Sequence, residues 1–255
     1  MTVCTIIAAV GLSRRWPVLL AAVRDESVNR GWVAPARHWP VRHPEVIGGL
    51  DLQSGGTWLA LDRSNHRASF LVNRPERVRG ETRSRGELPL LALEAPEHCW
   101  SADTLRQYNG FILGQADADG LLLHQWDTRT LSSRRLGKGV HGLCYRGIGE
   151  GHPRLERHLP LFAAKPLPQP AAQASSAQAW GKWLYLLAGD GQYSSDAEAL
   201  IWRREVEGSV WASQSAACVA LGKGRSRLDF NASPLNPACW QTLSPLPPFK
   251  TSALP

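Results

Sequence analysis

Short apolar runs closed off by turn-forming residues constrain the fold of this chain more than any other feature. Val3 to Val10, Pro17 to Val23, Gly56 to Leu61 and Arg67 to Asn73 are each a few residues long and bounded by Gly, Pro, Asn or Asp. Buried strands read in this way. Tyr108 to Gly114, Gly120 to Trp126 and Thr130 to Leu136 add a meander, the first two joined by an Asp-rich turn at Asp117 to Asp119. Lys138 to Tyr145, Val210 to Leu221 and Ser226 to Phe230 supply further strands. Helical signals are fewer. Ser84 and Glu87 form a capping-box pair ahead of Leu88, Leu90, Leu91 and Leu93, with Pro89 in the early turns. Leu155, Leu159 and Phe162 repeat at helical spacing after Pro153, and a further helix is predicted over Ala177 to Leu187.

A chain of 255 residues can bury a sizeable core without staples. We expect one domain over residues 1–244 and a proline-rich, mobile tail over 245–255. The five cysteines (Cys4, Cys99, Cys144, Cys218, Cys239) are scattered and form no CxxC pair, so neither a disulfide framework nor a metal site is indicated. No basic residue precedes the apolar run at Val3, and no stretch nears the ~20 apolar residues of a membrane-spanning helix. A cytoplasmic protein without an integral membrane segment is the expectation.

The net charge of +7 is an arginine effect, since only five of the 29 basic residues are lysine. The arginines are dispersed except between Arg74 and Arg85, where Arg74, Arg77, Arg79, Arg83 and Arg85 crowd together. Neither aromatic interleaving nor a helix-turn-helix pattern accompanies them, so nucleic acid is not an expected partner. A solvated loop is the first reading of this segment and an anion gate the second.

The candidate site lies in the first 26 residues. Cys4 sits in one apolar run, and a second run ends in Arg24, Asp25 and Glu26. Two strand-like segments thus bring a thiol, a guanidinium and two carboxylates to a sheet rim. Such charges form either a functional site or a buried ion-pair network that locks the strand end. Trp58 reads as a core residue, and Asn109-Gly110 as a turn or bulge.

These residues carry a family resemblance. Cys4-Thr5, Leu-Ala-Ala-Val-Arg-Asp-Glu at Leu20 to Glu26 and Gly-Gly-Thr-Trp-Leu-Ala at Gly55 to Ala60 resemble the NRDE-motif family, also called the transport-and-Golgi-organisation-2 family. Asn73-Arg74-Pro75, Arg85-Gly86-Glu87-Leu88, Tyr108-Asn109-Gly110-Phe111 and His152-Pro153-Arg154 continue the match in order through about 160 residues. Beyond that, only a Ser-rich segment near Ser213 to Leu221 corresponds. The resemblance implies an α+β fold of four αββα layers, two stacked antiparallel sheets flanked by helices, as in N-terminal-nucleophile hydrolases. It also implies the family's reported association with intracellular haem trafficking and, less directly, lipid and acyl-CoA homeostasis.

Three functions follow as expectations. The leading one is a cytoplasmic ligand-binding or trafficking protein whose small-molecule ligand is haem or another anionic amphiphile, with no cofactor required. Haem asks for an apolar slot, an axial ligand and arginines for its propionates. The candidate ligand-binding residues are Arg24, Asp25, Glu26, His141, Cys144 and Tyr145, and Cys4, His141, Cys144 and Tyr145 carry atoms able to ligate iron. The alternative is an N-terminal cysteine amidohydrolase acting on a small amide, with Cys4, Arg24, Asp25 and Asn73 in the catalytic positions by resemblance. Three departures weaken it: Cys4 follows three residues and lacks its α-amine unless the chain is processed, Tyr145 replaces the relatives' asparagine, and Gln214 replaces their late arginine. The third expectation is a non-catalytic interaction scaffold. Sequence leaves the oligomeric state open.

Overall fold

The computed structural model describes residues 4–95, 100–149 and 151–243. The expected mobile tail at 245–255 and Cys99 lie outside them. The strands are β1 (Thr5–Val10), β2 (Val18–Ser27), β3 (Trp32–Ala36), β4 (Val46–Asp51), β5 (Leu59–Asp62), β6 (Arg67–Asn73), β7 (Phe111–Asp117), β8 (Gly120–Trp126), β9 (Leu131–Arg135), β10 (Gly139–Cys144), β11 (Gly147–Ile148), β12 (Arg203–Val206), β13 (Ser209–Gly222), β14 (Arg225–Asn231) and β15 (Trp240–Thr242). The helices are α1 (Leu88–Glu94), α2 (Ala102–Leu105), α3 (Pro153–Ala163), α4 (Ser176–Trp180) and α5 (Lys182–Leu187).

Two antiparallel sheets result. One runs β11-β10-β1-β2-β13-β14-β15, with β12 paired to β13; the other is the meander β3-β4-β5-β6-β7-β8-β9. The alternation of side chains along each strand builds the layers. In β1, Ile6, Ala8 and Val10 enter the core between the sheets, where Phe70, Ile112, Leu123 and Val219 meet them. Ile7 and Ala9 point the other way, onto Leu155 of α3, Trp180 of α4 and Trp183 of α5. Burial of both faces explains why β1 and β2 read as continuous apolar runs. Across the second sheet, Leu88 and Ala92 of α1 pack on Leu71, Phe111 and Leu113, and Leu90 and Leu93 pack on Val46 and Ala60. The order is helix, sheet, sheet, helix, as expected from the resemblance.

Within the second sheet, Gly114 of β7 lies directly opposite Phe70 of β6. A Cβ on Gly114 would stand 2.1 Å from the Phe70 ring, so this glycine leaves the space that the phenyl group fills.

The structure departs from the sequence reading in four places. β2 continues through Arg24, Asp25 and Glu26 to Ser27, because β13 pairs with it along that length across a bulge between Ser213 and Ser215. The helix predicted over Ala177 to Leu187 is two helices, broken at Gly181 with φ 52° and ψ −123°. β3 and β4 were not predicted; β3 is an edge strand containing Pro35, and β4 carries Gly48-Gly49. Finally, Ser84 Oγ accepts from Gly86 N and starts a 3₁₀ turn, but Glu87 does not close a capping box. Its carboxylate instead accepts from Tyr108 Oη at 2.7 Å and from Arg83 at 2.6 Å.

Candidate functional site

A cleft opens at the rim where β1 begins, β2 and β6 end, and β5 begins. Alternation along β2 decides which charges enter it. Arg24 and Glu26 line the cleft, while Asp25 lies on the opposite face, directed at the helical layer.

Arg24 is 5% exposed, and its guanidinium carbon lies 4.3 Å from the centre of the Trp58 ring. Its Nη1 donates to Gln214 Oε1 at 3.5 Å, and its Nη2 stands 3.8 Å from Glu26 and 3.7 Å from Asp51. Burial lowers its affinity for a proton, against the pull of Cys4, Glu26 and Asp51. Asp51 is engaged elsewhere: it accepts from Arg30 Nε at 2.5 Å and Nη2 at 3.0 Å, a two-pronged pair. Burial is the largest single influence on Asp51 and raises its pKa, but the hydrogen bond and charge of Arg30 together with the hydrogen bonds from Ser54 outweigh it and hold the carboxyl below its usual range.

Cys4 also lines the cleft. Its thiol donates to the Asp25 carbonyl at 3.7 Å. Burial pushes its pKa up to about 12, the negative charge of Asp25 adds to the rise, and Arg24 offsets only part of it. Asn73, at the end of β6, presents a buried side-chain oxygen that has no hydrogen-bond partner among the described residues.

The arginine-rich segment after β6 forms the facing wall. It is anchored by the turn before β7: Asn109 Oδ1 accepts from Val78 N at 3.0 Å, and Gly110 N donates to Glu76 O at 2.8 Å. Arg74 pairs with Glu76 at 2.6 Å and Arg83 with Glu87 at 2.6 Å. Arg85 Nη1 donates to the carbonyls of Arg74 and Gly110 at 3.1 and 2.7 Å. Burial, then the neighbouring Arg77, bring the Arg85 pKa down to about 10. Neither Arg77 nor Arg85 has a carboxylate within ion-pair distance among the described residues.

The main recess measures about 530 Å³ and adjoins a second of about 430 Å³. Asn73, Arg77, Arg85 and Trp211 line both and form the neck between them. Six arginines face the combined space against the carboxylates of Glu26, Asp51 and Glu207. A partly enclosed, positive cleft lined by two indole side chains suits an anionic ligand that carries an apolar part.

The residues singled out from sequence separate into two groups. Cys4, Arg24, Glu26 and Asn73 meet in the main recess, and Tyr145 lines the second. Asp25, Cys144 and His141 line neither. Asp25 is fully buried, accepting from Arg154 Nη1 at 2.5 Å and from Ser213 Oγ at 2.5 Å. Cys144 is buried against the helices, and burial raises its pKa. His141 pairs with Ala8 of β1, about 13 Å along the strand from Cys4, and its Nε2 lies 2.8 Å from Gly137 O. Gln214 occupies the bulge in β13, where its amide nitrogen donates to the carbonyls of Glu26 and Ser27 and its oxygen accepts from Trp32 Nε1 at 2.6 Å.

Sequence reasoning did not reach Arg30, Asp51 and Trp211, which stand in or beside segments that carried no strand signal or at a strand start. Arg154 was legible in His152-Pro153-Arg154, but its partner Asp25 lies 129 residues away. Among the described residues no group of His, Cys, Asp and Glu is placed to hold a metal ion, and no helix is long and apolar enough to cross a membrane.

The family model described as Transport and Golgi organisation 2 matches residues 3–178. That span includes Cys4, Arg24, Asn73, Arg77 and Arg85, and it excludes Trp211 and Gln214. No curated protein matches the chain. Among solved structures, a mutant of the conjugated bile acid hydrolase from Clostridium perfringens is similar to it, at 12% identity, over 91% of this chain and 89% of that chain, with a TM-score of 0.43.

Proposed function

The chain belongs to the Transport and Golgi organisation 2 family, and from that membership we propose that it is a cytoplasmic ligand-binding protein that holds a small anionic amphiphile in the arginine-lined cleft. Haem is the leading ligand, and passing haem between partners inside the cell is the corresponding role. The observation that supports this reading is the surplus of guanidinium groups over carboxylates, set beside the indole side chains of Trp58 and Trp211. Guanidiniums pair with propionates, and indole faces pack on a porphyrin plane. Of the side chains able to ligate iron, Cys4 and Tyr145 border the cleft, whereas His141 and Cys144 do not.

Titration of the purified protein with haemin tests the proposal. The expected result is a saturable Soret shift at micromolar haemin that weakens on Trp58→Ala and on Tyr145→Phe, and that is unchanged by His141→Ala. No shift at micromolar haemin overturns the haem assignment.

A cysteine amidohydrolase is the second reading, favoured by the shared position of Cys4, Arg24 and Asn73 in one recess. A thiol with a pKa near 12 is ionised to roughly one part in 10⁵ at neutral pH, which opposes it. The reading requires a mature chain that begins at Cys4, which intact-mass measurement of protein purified from its source reads directly. A start at Met1 or Thr2 removes the α-amine base and with it this mechanism.

A further inference from the structure

The six arginines of the cleft are not equivalent. Arg30, Arg74 and Arg83 each have a carboxylate within 2.6 Å, and Arg24 is shared between Glu26 and Asp51. Arg77 and Arg85 have none among the described residues, and both stand at the neck joining the two recesses. Asn73, whose buried oxygen has no hydrogen-bond partner among the described residues, lines the same neck.

We infer that the neck is an anion clamp, in which Arg77 and Arg85 together bind a group carrying two negative charges beside the Asn73 side chain. This rests on the ligand-binding reading above and states which chemistry the cleft selects.

The argument is one of compensation. Burial is the larger cause that brings the Arg85 pKa down to about 10, and repulsion from the neighbouring Arg77 guanidinium adds to it. Two negative charges between the two guanidiniums remove the repulsion and supply acceptors for donors the protein leaves unused. Arg85 is already oriented, because one nitrogen is fixed by the carbonyls of Arg74 and Gly110. Arg77 is exposed and free to swing onto the ligand. The position between recesses leaves room on both sides, so the charged part sits centrally and the apolar part extends past Trp211 or Trp58. A pair of neighbouring carboxylates and a phosphate monoester share this chemistry.

Two probes separate the sources and keep this inference distinct from the haem assignment. Haemin and its dimethyl ester, which lacks free carboxylates, are titrated against wild type, Arg77→Gln and Arg85→Lys; phenyl phosphate and glutarate are titrated by calorimetry against the same proteins. Arg77 is exposed, so Arg77→Gln is expected to fold as wild type does, and Arg85→Lys keeps a charge where the two carbonyls need a donor. The expected result is that haemin binds at least about tenfold more tightly than its ester, and that Arg77→Gln abolishes the difference. Equal binding of haemin and ester by wild type overturns the clamp and leaves the haem assignment standing. If neither haemin nor ester binds, but phenyl phosphate or glutarate binds wild type and is lost in Arg77→Gln, the haem assignment fails and the clamp holds. If none of the four probes binds wild type, or if Arg77→Gln changes nothing, the clamp is overturned.

Discussion

A thiol whose pKa is pushed up to about 12 by burial and by the Asp25 carboxylate keeps its proton throughout the neutral range. The sign of its pH dependence follows directly: the reactive thiolate appears only as the pH approaches 12, so alkylation should accelerate steadily with pH and show no plateau near 8 or 9. With iodoacetamide at pH 8, Cys4 is expected to react about a hundredfold more slowly than an ordinary exposed thiol, allowing for the greater intrinsic nucleophilicity of a high-pKa sulfur. Peptide mapping by mass spectrometry, with Cys4→Ser as the assignment control, reads this rate. Labelling at the ordinary rate would mean an ionised sulfur and would restore the hydrolase reading. The same residues show what alternation does to a sequence motif. Read from sequence as the end of a strand, Arg24, Asp25 and Glu26 form one charged cluster. Because β2 continues to Ser27, neighbours in sequence face opposite layers, and Asp25 leaves the cleft for Arg154.

At the scale of single elements, α3 carries a titratable cap. His152 Nδ1 accepts from Arg154 N at 3.2 Å, which requires the unprotonated nitrogen. Burial first, then the positive charges of Arg154 and Arg146, lower the His152 pKa from 6.5 to about 4. The folded protein therefore binds fewer protons than the unfolded chain between these values. The stability this contributes is complete above about pH 6.5 and is lost as the pH falls towards 4, on the order of 3 kcal/mol in all. His152→Asn keeps a capping acceptor without a proton site, so wild type should lose about 2 kcal/mol of unfolding free energy relative to the variant from pH 7 to pH 4.5; a pH-independent difference would exclude the cap as its source. The break between α4 and α5 makes a second prediction. Gly181 has a backbone conformation closed to residues with a Cβ, yet no atom lies within 4 Å of where that Cβ would stand. Gly181→Ala should therefore cost about 1–3 kcal/mol through backbone strain alone, measured by urea unfolding. The proline starts of α1 and α3 and the long apolar strands were legible in the sequence because each depends on neighbours within a few residues. β3 and β4 were not. The glycine in β4 that hides the strand signal is required by a distant residue, since a Cβ on Gly49 would stand 2.2 Å from the Trp58 ring.

On the scale of the whole molecule, two buried ion pairs fasten the outer face of the first sheet at separate places. Asp25 with Arg154 ties β2 to α3, and Thr5 and Ser213 add hydrogen bonds to Arg154 and Asp25 respectively. Asp229 with Arg227 ties β14 to α4 through Ser176 Oγ and Trp180 Nε1, and to β15 through Thr242. Neither network was visible in sequence, because each joins residues from distant parts of the chain. Removing one charge leaves its partner buried and uncompensated, which costs about 3–5 kcal/mol. Asp25→Asn and Asp229→Asn should each lower the melting temperature by roughly 6–20 °C in a chain of this size. Their local effects should differ. Asp25 holds the stretch of β2 that aims Arg24 and Glu26 into the cleft, and its partner Ser213 adjoins the bulge where Gln214 receives Trp32. Native-state hydrogen exchange at a temperature where both variants remain folded should show lost protection over 24–27 and 211–215 in Asp25→Asn, and over 176–180 and 229–242 in Asp229→Asn. If both variants lose protection over the same segments, the outer face behaves as one cooperative unit, and the cleft is not under the separate control of its own ion pair.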